Sequence, residues 1–475
     1  MSSTWFWTTT ILIAFMPAVN RRQFIQSLAG APAIQTRGGR RPNVLWLMTD
    51  EQRPDSLGCY GSPWARSPRL DELASSGTLF ESAYTPSPVC VPARSSLLTG
   101  RMPSSTGVYH NQQRLAPGAA FLTWAFEKAG YRTASFGKKH YFVKGRQAFQ
   151  TEGGQPTEDV VSPTQYLKGR NPSDYEAVIY PGAQPWILAG EFPEDATKTA
   201  EALNVDLAIN WLSGLGAGDR FFLRLSLNAP HTPVVAPRPF WKSMDPDSIR
   251  LPVLADEELR RKPRWESVAL RDYQGAFRLT REQIRNARRA YYERVAFLDA
   301  QISRLLDFLK RRGQWKDTII VFVSDHGTDL GDYGLFQKQT FYEQVARVPF
   351  FFAWPGMVRA GGRVKTPVST IALLPTVLEL AGLPAPSTSL ARVLREGGEP
   401  ASGDVISEIK LGYRKHRDDE RILMVRRGRY KLVHYPDSGD PDGALYDLET
   451  DPLERRNLYS DAVYRATVAA LAQVR

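Results

Sequence analysis

The sequence predicts an α/β fold in which helices cover both faces of a mostly parallel sheet, with a smaller unit of short strands behind it. Short continuous apolar runs such as residues 43–48 and 318–323 alternate with helical segments. That alternation is typical of a parallel sheet buried on both faces. Polar residues suited to chemistry come directly after several of the apolar runs, and ligands bind at that edge of such sheets.

The first half of the chain supplies strands and helices in alternation. Residues 43–48 form a strand, Ser67 and Pro68 begin a helix that Gly77 ends, and residues 79–83 form a second strand. A short helix at 92–98 and another at 123–129 are each followed by glycine, which often ends helices. Residues 133–136 and 221–227 form strands on either side of a helix at 196–212.

The second half begins with the clearest helix of the chain. Thr280 and Gln283 form a capping box, and an apolar stripe continues to Gly313. Strands at 318–323 and 350–353 follow, and then a helix at 370–381 in which Pro375 predicts a kink. The last elements are strands at 405–409, 422–426 and 430–435 and a closing helix at 462–474. The irregular stretches 141–194 and 234–279 are expected to shape the substrate entrance.

Composition and charge narrow the class of protein. The chain has 475 residues, of which 42% are hydrophobic and 23% charged, and this excludes a disordered chain. The net charge is +11; five arginines and no other charged residue lie within residues 1–41, so the remainder carries +6. This charge suits an anionic substrate. No nucleic-acid module is recognisable, and no nucleic-acid partner is predicted.

The N-terminus indicates export. Residues 5–19 are apolar but too few to span a bilayer, so no stable membrane span is predicted. Arg21 and Arg22, followed by a weakly apolar run, resemble a twin-arginine signal. In such a signal the apolar run follows the arginines, whereas residues 5–19 precede them here. Translation that begins at Met16 would explain this order. A chance arginine pair is the alternative. We therefore predict a leader at residues 1–41 and a periplasmic or extracellular protein.

The stretch 88–101 gathers a cysteine, a cation and a helix N-terminus. Cys90 precedes the short helix, whose free N–H groups and dipole favour negative charge. Arg94 lies one turn further on and points to the same side. An isolated cysteine here would be interpreted as a buried packing residue. With only Cys59 as a second cysteine, the chain could form a single disulfide bridge but not a disulfide framework.

Two adjacent acids after one strand, and an acid with an imidazole after another, predict a metal site. Asp50 and Glu51 follow strand 43–48, and Asp325 and His326 follow strand 318–323. Acids directly after buried strands are costly unless they are paired, and hard cations take oxygen ligands of this kind. A solvated turn or a helix cap is the alternative for the Asp50–Glu51 pair alone.

Four further polar residues lie near strand ends. Lys138 and His140 follow strand 133–136, and their two-residue spacing places them on one side of an extended backbone. His231 lies in a Pro-His-x-Pro segment after strand 221–227, and Lys338 lies in the segment 334–340. Each alone would be interpreted as a surface or loop residue.

Together these segments resemble the type I sulfatases. The Cys-x-Pro-x-Arg segment at 90–94 and the Leu-Thr-Gly-Arg that follows, Gly-Lys-x-His, Pro-His-x-Pro and Asp-His recur in the family's order, and the similarity runs from about residue 41 to 458. The resemblance implies an alkaline-phosphatase-like fold with a small C-terminal antiparallel sheet. It places the catalytic domain at 42–384, a linker at 385–403 and the C-terminal subdomain at 404–475.

The resemblance also implies the cofactors. Cys90 would be converted to formylglycine by a formylglycine-generating enzyme. The metal would be Ca²⁺, with Mg²⁺ as the alternative, and the imidazole leaves a transition metal open. The implied ligands are Asp50, Glu51, residue 90, Asp325 and His326. Glu51 departs from the Asp that is usual in the family.

In the implied mechanism the hydrated formylglycine attacks sulfur and then expels sulfate from a hemiacetal. The roles fall to Asp325 as the activating base, His231 and Lys338 as acids for the leaving alcohol, His140 as the final base, and Lys138 and Arg94 as stabilising cations. The expected activity is that of a sulfuric ester hydrolase acting on a sulfated carbohydrate. The alternatives are a phosphonate monoester or phosphodiester hydrolase and a non-catalytic binder of sulfated glycan.

Overall fold

A computed structural model describes residues 41–154, 171–179, 186–252, 279–401, 403–410, 420–437 and 442–474. All but the last residue of the predicted leader lies outside these ranges, as do parts of the irregular stretches 141–194 and 234–279. Among the described residues, no helix combines the length and the apolar character needed to cross a bilayer.

The strands fall into one large sheet and three small ones. In chain order they are β1 Asn43–Asp50, β2 Thr78–Phe80, β3 Ala83–Tyr84, β4 Arg132–Gly137, β5 Thr151–Gly153, β6 Ala177–Ile179, β7 Trp186–Glu191, β8 Phe221–Pro230, β9 Val235–Ala236, β10 Thr318–Ser324, β11 Phe350–Ala353, β12 Gly362–Val364, β13 Val368–Ser369, β14 Val405–Lys410, β15 Arg421–Arg427, β16 Tyr430–His434 and β17 Gly443–Asp447. The large sheet has the order β12-β2-β11-β10-β1-β8-β4-β5. Within it only β11 runs antiparallel to its neighbours, so the predicted mostly parallel sheet is confirmed.

The central strands β1 and β10 are buried along their whole length. Because successive side chains of a strand point to opposite faces, each strand feeds two hydrophobic cores. Leu45 and Ile320 belong to the core on one face, whereas Trp46 and Val321 belong to the core on the other. This explains why their sequences read as continuous apolar runs rather than as alternating ones.

The helices pack on both faces of the sheet. They are α1 Pro68–Ser75, α2 Cys90–Thr99, α3 Pro103–Thr106, α4 Trp124–Lys128, α5 Ala200–Ser213, α6 Arg281–Arg311, α7 Glu343–Ala346, α8 Leu373–Leu380, α9 Ala391–Glu396 and α10 Arg465–Leu471. The predicted capping box of α6 is present, since Thr280 and Gln283 each accept a hydrogen bond from the other's backbone N–H. The helix predicted at 370–381 is a 3₁₀ turn at Thr370–Ala372 followed by α8, and Pro375 lies in the first turn of α8, where a proline is tolerated.

The C-terminal strands β14 to β17 form an antiparallel sheet in sequence order. On one face Met424 and Val433 pack in a cluster with Tyr342, which belongs to the part of the chain that carries the large sheet, called the catalytic body below. The other face packs under α10. The stretch predicted as a linker contains α9, whose Ala391 and Leu394 are buried in the core of the large sheet. Part of this stretch is therefore built into the catalytic body.

Candidate active site

The ends of four neighbouring strands bring the candidate residues to one place. Strands β10, β1, β8 and β4 are adjacent in the sheet, and their carboxyl ends lie at the same edge. Asp50 ends β1, Asp325 follows β10, and Lys138 follows β4. Residues that are far apart in sequence therefore share one small volume.

Cys90 is the first residue of α2, two residues earlier than the sequence predicts. Gly100 ends this helix in the left-handed conformation, as expected for a residue just past a helix end. The Cys90 sulfur lies 3.1 Å from Lys338 Nζ and 3.2 Å from His326 Nε2. It is also 3.8 Å from Asp50 Oδ1, so the cysteine stands at the centre of the cluster.

Arg94 joins the two acidic half-sites. Its Nε donates to Asp325 Oδ2 and its Nη2 donates to Asp50 Oδ2, both at 2.7 Å. Its Nη1 donates to Ser226 Oγ at 2.7 Å and to the Lys138 carbonyl at 3.1 Å. All of these groups are buried. Arg94 and Cys90 both contact Asp50, so Arg94 points to the Cys90 side of the helix, as predicted.

Lys138 supplies a second cation to the same carboxylate. Its Nζ lies 3.0 Å from Asp50 Oδ2 and 2.9 Å from Asn228 Oδ1. Burial by itself would raise the pKa of Asp50, but the charges of Lys138 and Arg94 outweigh it and hold the pKa well below its usual range. Asp50 is therefore an anion at neutral pH although its side chain is fully buried.

Four residues form a candidate metal centre. Ligand atoms of Asp50, Cys90, Asp325 and His326 all lie within 4.8 Å of one another and are buried. His326 Nδ1 is 2.9 Å from the carbonyl of Gly327, which places the ring proton on Nδ1 and leaves Nε2 as a possible ligand. Carboxylate oxygens are the ligands that hard divalent cations prefer, and an imidazole can complete such a set, so these residues fit a divalent cation.

Glu51 lies at the edge of this centre. Its Oε1 is 2.7 Å from Lys338 Nζ and 3.4 Å from His231 Nε2, and it forms a second close group with Asp50 and His231. Its backbone is left-handed, with φ of 61°, and its carbonyl accepts a hydrogen bond from Tyr291 Oη at 2.8 Å. Ligation of the metal by Glu51 stays a prediction, since the carboxylate here engages Lys338.

Lys338 and His231 form a pair beside the cysteine. Lys338 Nζ lies 2.8 Å from His231 Nε2, and the other ring nitrogen of His231 lies 2.6 Å from the Thr232 carbonyl. The side chain of His231 keeps 12% of its surface exposed. The pair therefore lies between the buried cysteine and the solvent side of the site.

His140 is placed differently from the sequence expectation. Its φ of 37° is not extended, so the argument that Lys138 and His140 share one side of an extended backbone does not hold. Lys138 is buried against Asp50, whereas His140 is half-buried with its ring 6.1 Å from that of Phe142. A role for His140 in proton transfer stays a prediction.

Three polar partners in the site were not predicted. Ser226 and Asn228 hold Arg94 and Lys138, and Tyr291 on α6 holds the backbone of Glu51. Ser226 and Asn228 are two residues apart near the end of β8, just before His231, so their spacing could have revealed them. Tyr291 offers no comparable signal. Cys59 and Cys90 are both free thiols, so the possible single bridge is not formed.

Comparison with known proteins gives a consistent result. Residues 42–383 match the Sulfatase family, and residues 331–474 match the family described as N-sulphoglucosamine sulphohydrolase, C-terminal. The choline-sulfatase of Rhizobium meliloti (strain 1021) is 30% identical over 459 residues, which cover 92% of this chain and 86% of that protein.

Two further relatives show the range of chemistry among similar proteins. The N-acetylglucosamine-6-O-sulfatase of Bacteroides thetaiotaomicron is 25% identical over 94% of this chain and 88% of its own length. The crystal structure of the phosphonate monoester hydrolase of Agrobacterium radiobacter superimposes with a TM-score of 0.77 at 25% identity. It covers 91% of this chain and 94% of that one.

Proposed function

Because this chain belongs to the sulfatase family and is a sulfuric ester hydrolase, we propose that it releases sulfate from a sulfated carbohydrate by means of a formylglycine at position 90 and a divalent cation. One observation carries the proposal. Cys90 stands between Asp50, His326 and Lys338, and Arg94 fixes both carboxylates around it.

The unmodified thiol is poorly suited to be the nucleophile. Burial and the Asp50 carboxylate raise the pKa of Cys90, although Lys338 and Lys138 oppose the shift. The thiolate, which is the reactive form, is therefore disfavoured. A formylglycine made from Cys90 by a formylglycine-generating enzyme would supply an aldehyde hydrate, whose hydroxyl would be the nucleophile that displaces the alcohol from sulfur.

The cation would be held by Asp50, residue 90, Asp325 and His326, with Glu51 as the predicted fifth ligand. We favour Ca²⁺ over Mg²⁺, because buried carboxylates in an irregular arrangement suit the more flexible coordination of Ca²⁺. Such an ion supplies positive charge that neutralises the sulfate oxygens and lowers the cost of nucleophilic attack.

The chain's own residues would perform the remaining steps. Arg94 and Lys138 hold Asp50 ionised and fix its orientation, and Asp325 lies beside residue 90, where it would accept the proton of the attacking hydroxyl. Lys338 and His231, 2.8 Å apart, would deliver a proton to the leaving oxygen. His140 would take the proton that accompanies release of sulfate.

A sulfated sugar is favoured as substrate by the similarity to an N-acetylglucosamine-6-O-sulfatase and by the net charge of +6 beyond the leader. The structural similarity to a phosphonate monoester hydrolase supports a second candidate activity, the hydrolysis of phosphonate monoesters or phosphodiesters at the same site. Both activities use a buried nucleophile surrounded by cations, so their relative rates must be measured.

The first experiment is mass spectrometry of the peptide that carries residue 90, from protein made in its native host. An aldehyde in place of the thiol is expected, together with about one Ca²⁺ per chain by elemental analysis and faster turnover of sulfated sugars than of phosphonate and phosphate esters. Active protein with an intact thiol would refute the formylglycine mechanism. Faster turnover of phosphonate esters would instead establish the second candidate.

We further propose that the leader directs export to the periplasm or beyond. The proposal depends on Arg21 and Arg22 and on the weakly apolar run after them. Sequencing the N-terminus of the secreted protein is expected to place the mature end after the arginine pair. A mature end before Arg21 would contradict it.

A further inference from the structure

A separate cavity of about 310 Å³ lies between the catalytic body and the C-terminal unit. Five arginines contribute to its wall: Arg53, Arg250, Arg288, Arg347 and Arg455. We call it the arginine pocket. Three carboxylates, from Asp55, Asp332 and Glu343, also line it, so cations outnumber anions among the described residues of the wall.

The carboxylates are already engaged within the wall. Arg53 binds Asp55 at 2.7 Å and Asp332 at 2.6 Å, and Arg288 lies 3.4 Å from Asp332. Glu343 is paired with Arg347 at 3.2 Å and with Lys431 at 3.0 Å. The carboxylates therefore hold arginine side chains of the wall in place, and each carboxylate is paired with at least one cation.

The positive charge left over faces the cavity. Arg250 and Arg455 are exposed and have no ion pair in the part of the chain that the structure describes. Arg288 is 4% exposed, and its buried Nε has no hydrogen-bond partner among the described residues.

The rest of the wall is aromatic and apolar, with Trp64, Tyr333, Leu251 and Pro452 among the lining residues. Guanidinium groups bind sulfate-like and carboxylate oxygens in a forked geometry, and flat apolar side chains suit the C–H faces of a sugar ring. The volume is at the low end for small-molecule sites, which fits a single sugar unit.

The arginine pocket is also close to the active site. Arg53 is three residues after Asp50, which limits their backbone separation to about 11 Å. Asp332 and Tyr333 begin the segment that leads to Lys338. A polymer of a few sugar units could therefore contact both places.

We propose that the arginine pocket is a second binding site for an anionic sugar unit, sulfated or uronic, of the same polysaccharide whose sulfate ester is cleaved at residue 90. This inference rests on the proposed function, since it takes the substrate to be a sulfated polysaccharide. The pocket would hold the polymer without taking part in chemistry, so it would affect KM rather than kcat.

The test compares the double variant Arg250→Ala/Arg455→Ala with wild type. Both side chains are exposed and have no ion pair with any other described residue, so the fold should persist. Arg456→Ala is the matched control, because Arg456 is an exposed neighbour that pairs with Asp461 at 3.4 Å and is not among the residues of the pocket wall. The substrates are a defined sulfated oligosaccharide and 4-nitrophenyl sulfate.

For the double variant we expect KM for the oligosaccharide to rise at least about tenfold at unchanged kcat, which is the loss expected for one charge-assisted contact. Turnover of 4-nitrophenyl sulfate should be unchanged, and the control should match wild type on both substrates. An unchanged KM for the oligosaccharide, or an equal loss on both substrates, would overturn the proposal.

Calorimetry separates this proposal from the proposed function. Binding of the oligosaccharide and of inorganic sulfate is measured with and without the double substitution, and neither measurement needs turnover. Arginine-dependent binding of the oligosaccharide supports the pocket even if no sulfate ester is hydrolysed. Arginine-dependent binding of inorganic sulfate alone would overturn the assignment to a sugar.

Discussion

Replacing Arg94 by lysine tests whether the forked guanidinium, and not merely a positive charge, organises the site. Arg94 donates to Asp325 and Asp50 at 2.7 Å each and to Ser226 at 2.7 Å, all in the buried interior. A lysine ammonium is a single point and cannot span two carboxylates as the planar fork does. We therefore expect Arg94→Lys to keep the charge and lose at least two charge-assisted hydrogen bonds.

The size of the effect follows from those bonds. Each hydrogen bond to a charged group contributes about 1.5–3 kcal/mol, so two give a loss of about 3–6 kcal/mol in unfolding free energy. For 475 residues, an unfolding entropy of about 2.1 cal/mol/K per residue gives about 1 kcal/mol/K. The Tm should therefore fall by about 3–6 °C, and kcat/KM should fall about 10²-fold or more because both carboxylates lose their orientation.

The assay is thermal unfolding at fixed Ca²⁺ concentration, combined with turnover of 4-nitrophenyl sulfate. Arg456→Lys is the control, because the Arg456 side chain is 75% exposed and exposed ion pairs contribute about 0–1 kcal/mol. Its Tm should change by less than about 1 °C. An Arg94→Lys enzyme with the Tm and kcat/KM of wild type would show that the forked guanidinium does not organise the site.

Three further predictions concern neighbouring charges. Lys338→Met, which removes the ammonium 2.8 Å from His231, should lower kcat about 10²–10⁴-fold. The loss of kcat should be greater for a sugar leaving group than for 4-nitrophenol. Lys139→Met, at an exposed site, is the control. An equal loss for both leaving groups, or the same loss in the control, would contradict a role of Lys338 as acid. Glu51→Gln breaks the 2.7 Å ion pair to this lysine and should lower kcat/KM; because Glu51 is the predicted fifth ligand, elemental analysis should find clearly less than one metal per chain, and full metal content would contradict its ligation. Burial and the Glu343 carboxylate raise the pKa of Glu454 from its ordinary 4.5 to about 7, although the charge of Lys431 opposes the shift. The folded protein therefore binds the extra proton between these values, and its stability should fall as pH rises from about 4.5 to about 7. Urea unfolding across this range should show that Glu454→Gln removes part of the fall, and an unaltered pH slope would contradict the assignment.

The sequence alone determined the elements that depend on local interactions. The apolar run 318–323 predicts a strand buried on both faces, and β10 is buried along its whole length. The capping box of Thr280 and Gln283 is likewise local and is confirmed. The recurring motifs identified the family, and the rule that ligands bind beyond parallel strands placed Asp50, Lys138 and Asp325 at one edge.

Tertiary structure decided how those residues are paired. Arg94 could have been expected near Cys90, but nothing local predicts that its guanidinium binds Asp50 and Asp325 together, 44 and 231 residues away along the chain. The left-handed backbone of Glu51 turns its carboxylate toward Lys338, 287 residues further on, and a sequence pattern carries no signal of that direction.

The residues of the arginine pocket are even harder to bring together from the sequence alone. Arg53 follows the first strand and Arg455 belongs to the C-terminal unit, and only the packing of that unit on the catalytic body brings them into one wall. Helix caps and strand periodicity arise from contacts between near neighbours, so a sequence reveals them. Charge clusters such as the pocket arise from long-range packing, in which many sequences of the same local pattern would place their arginines elsewhere.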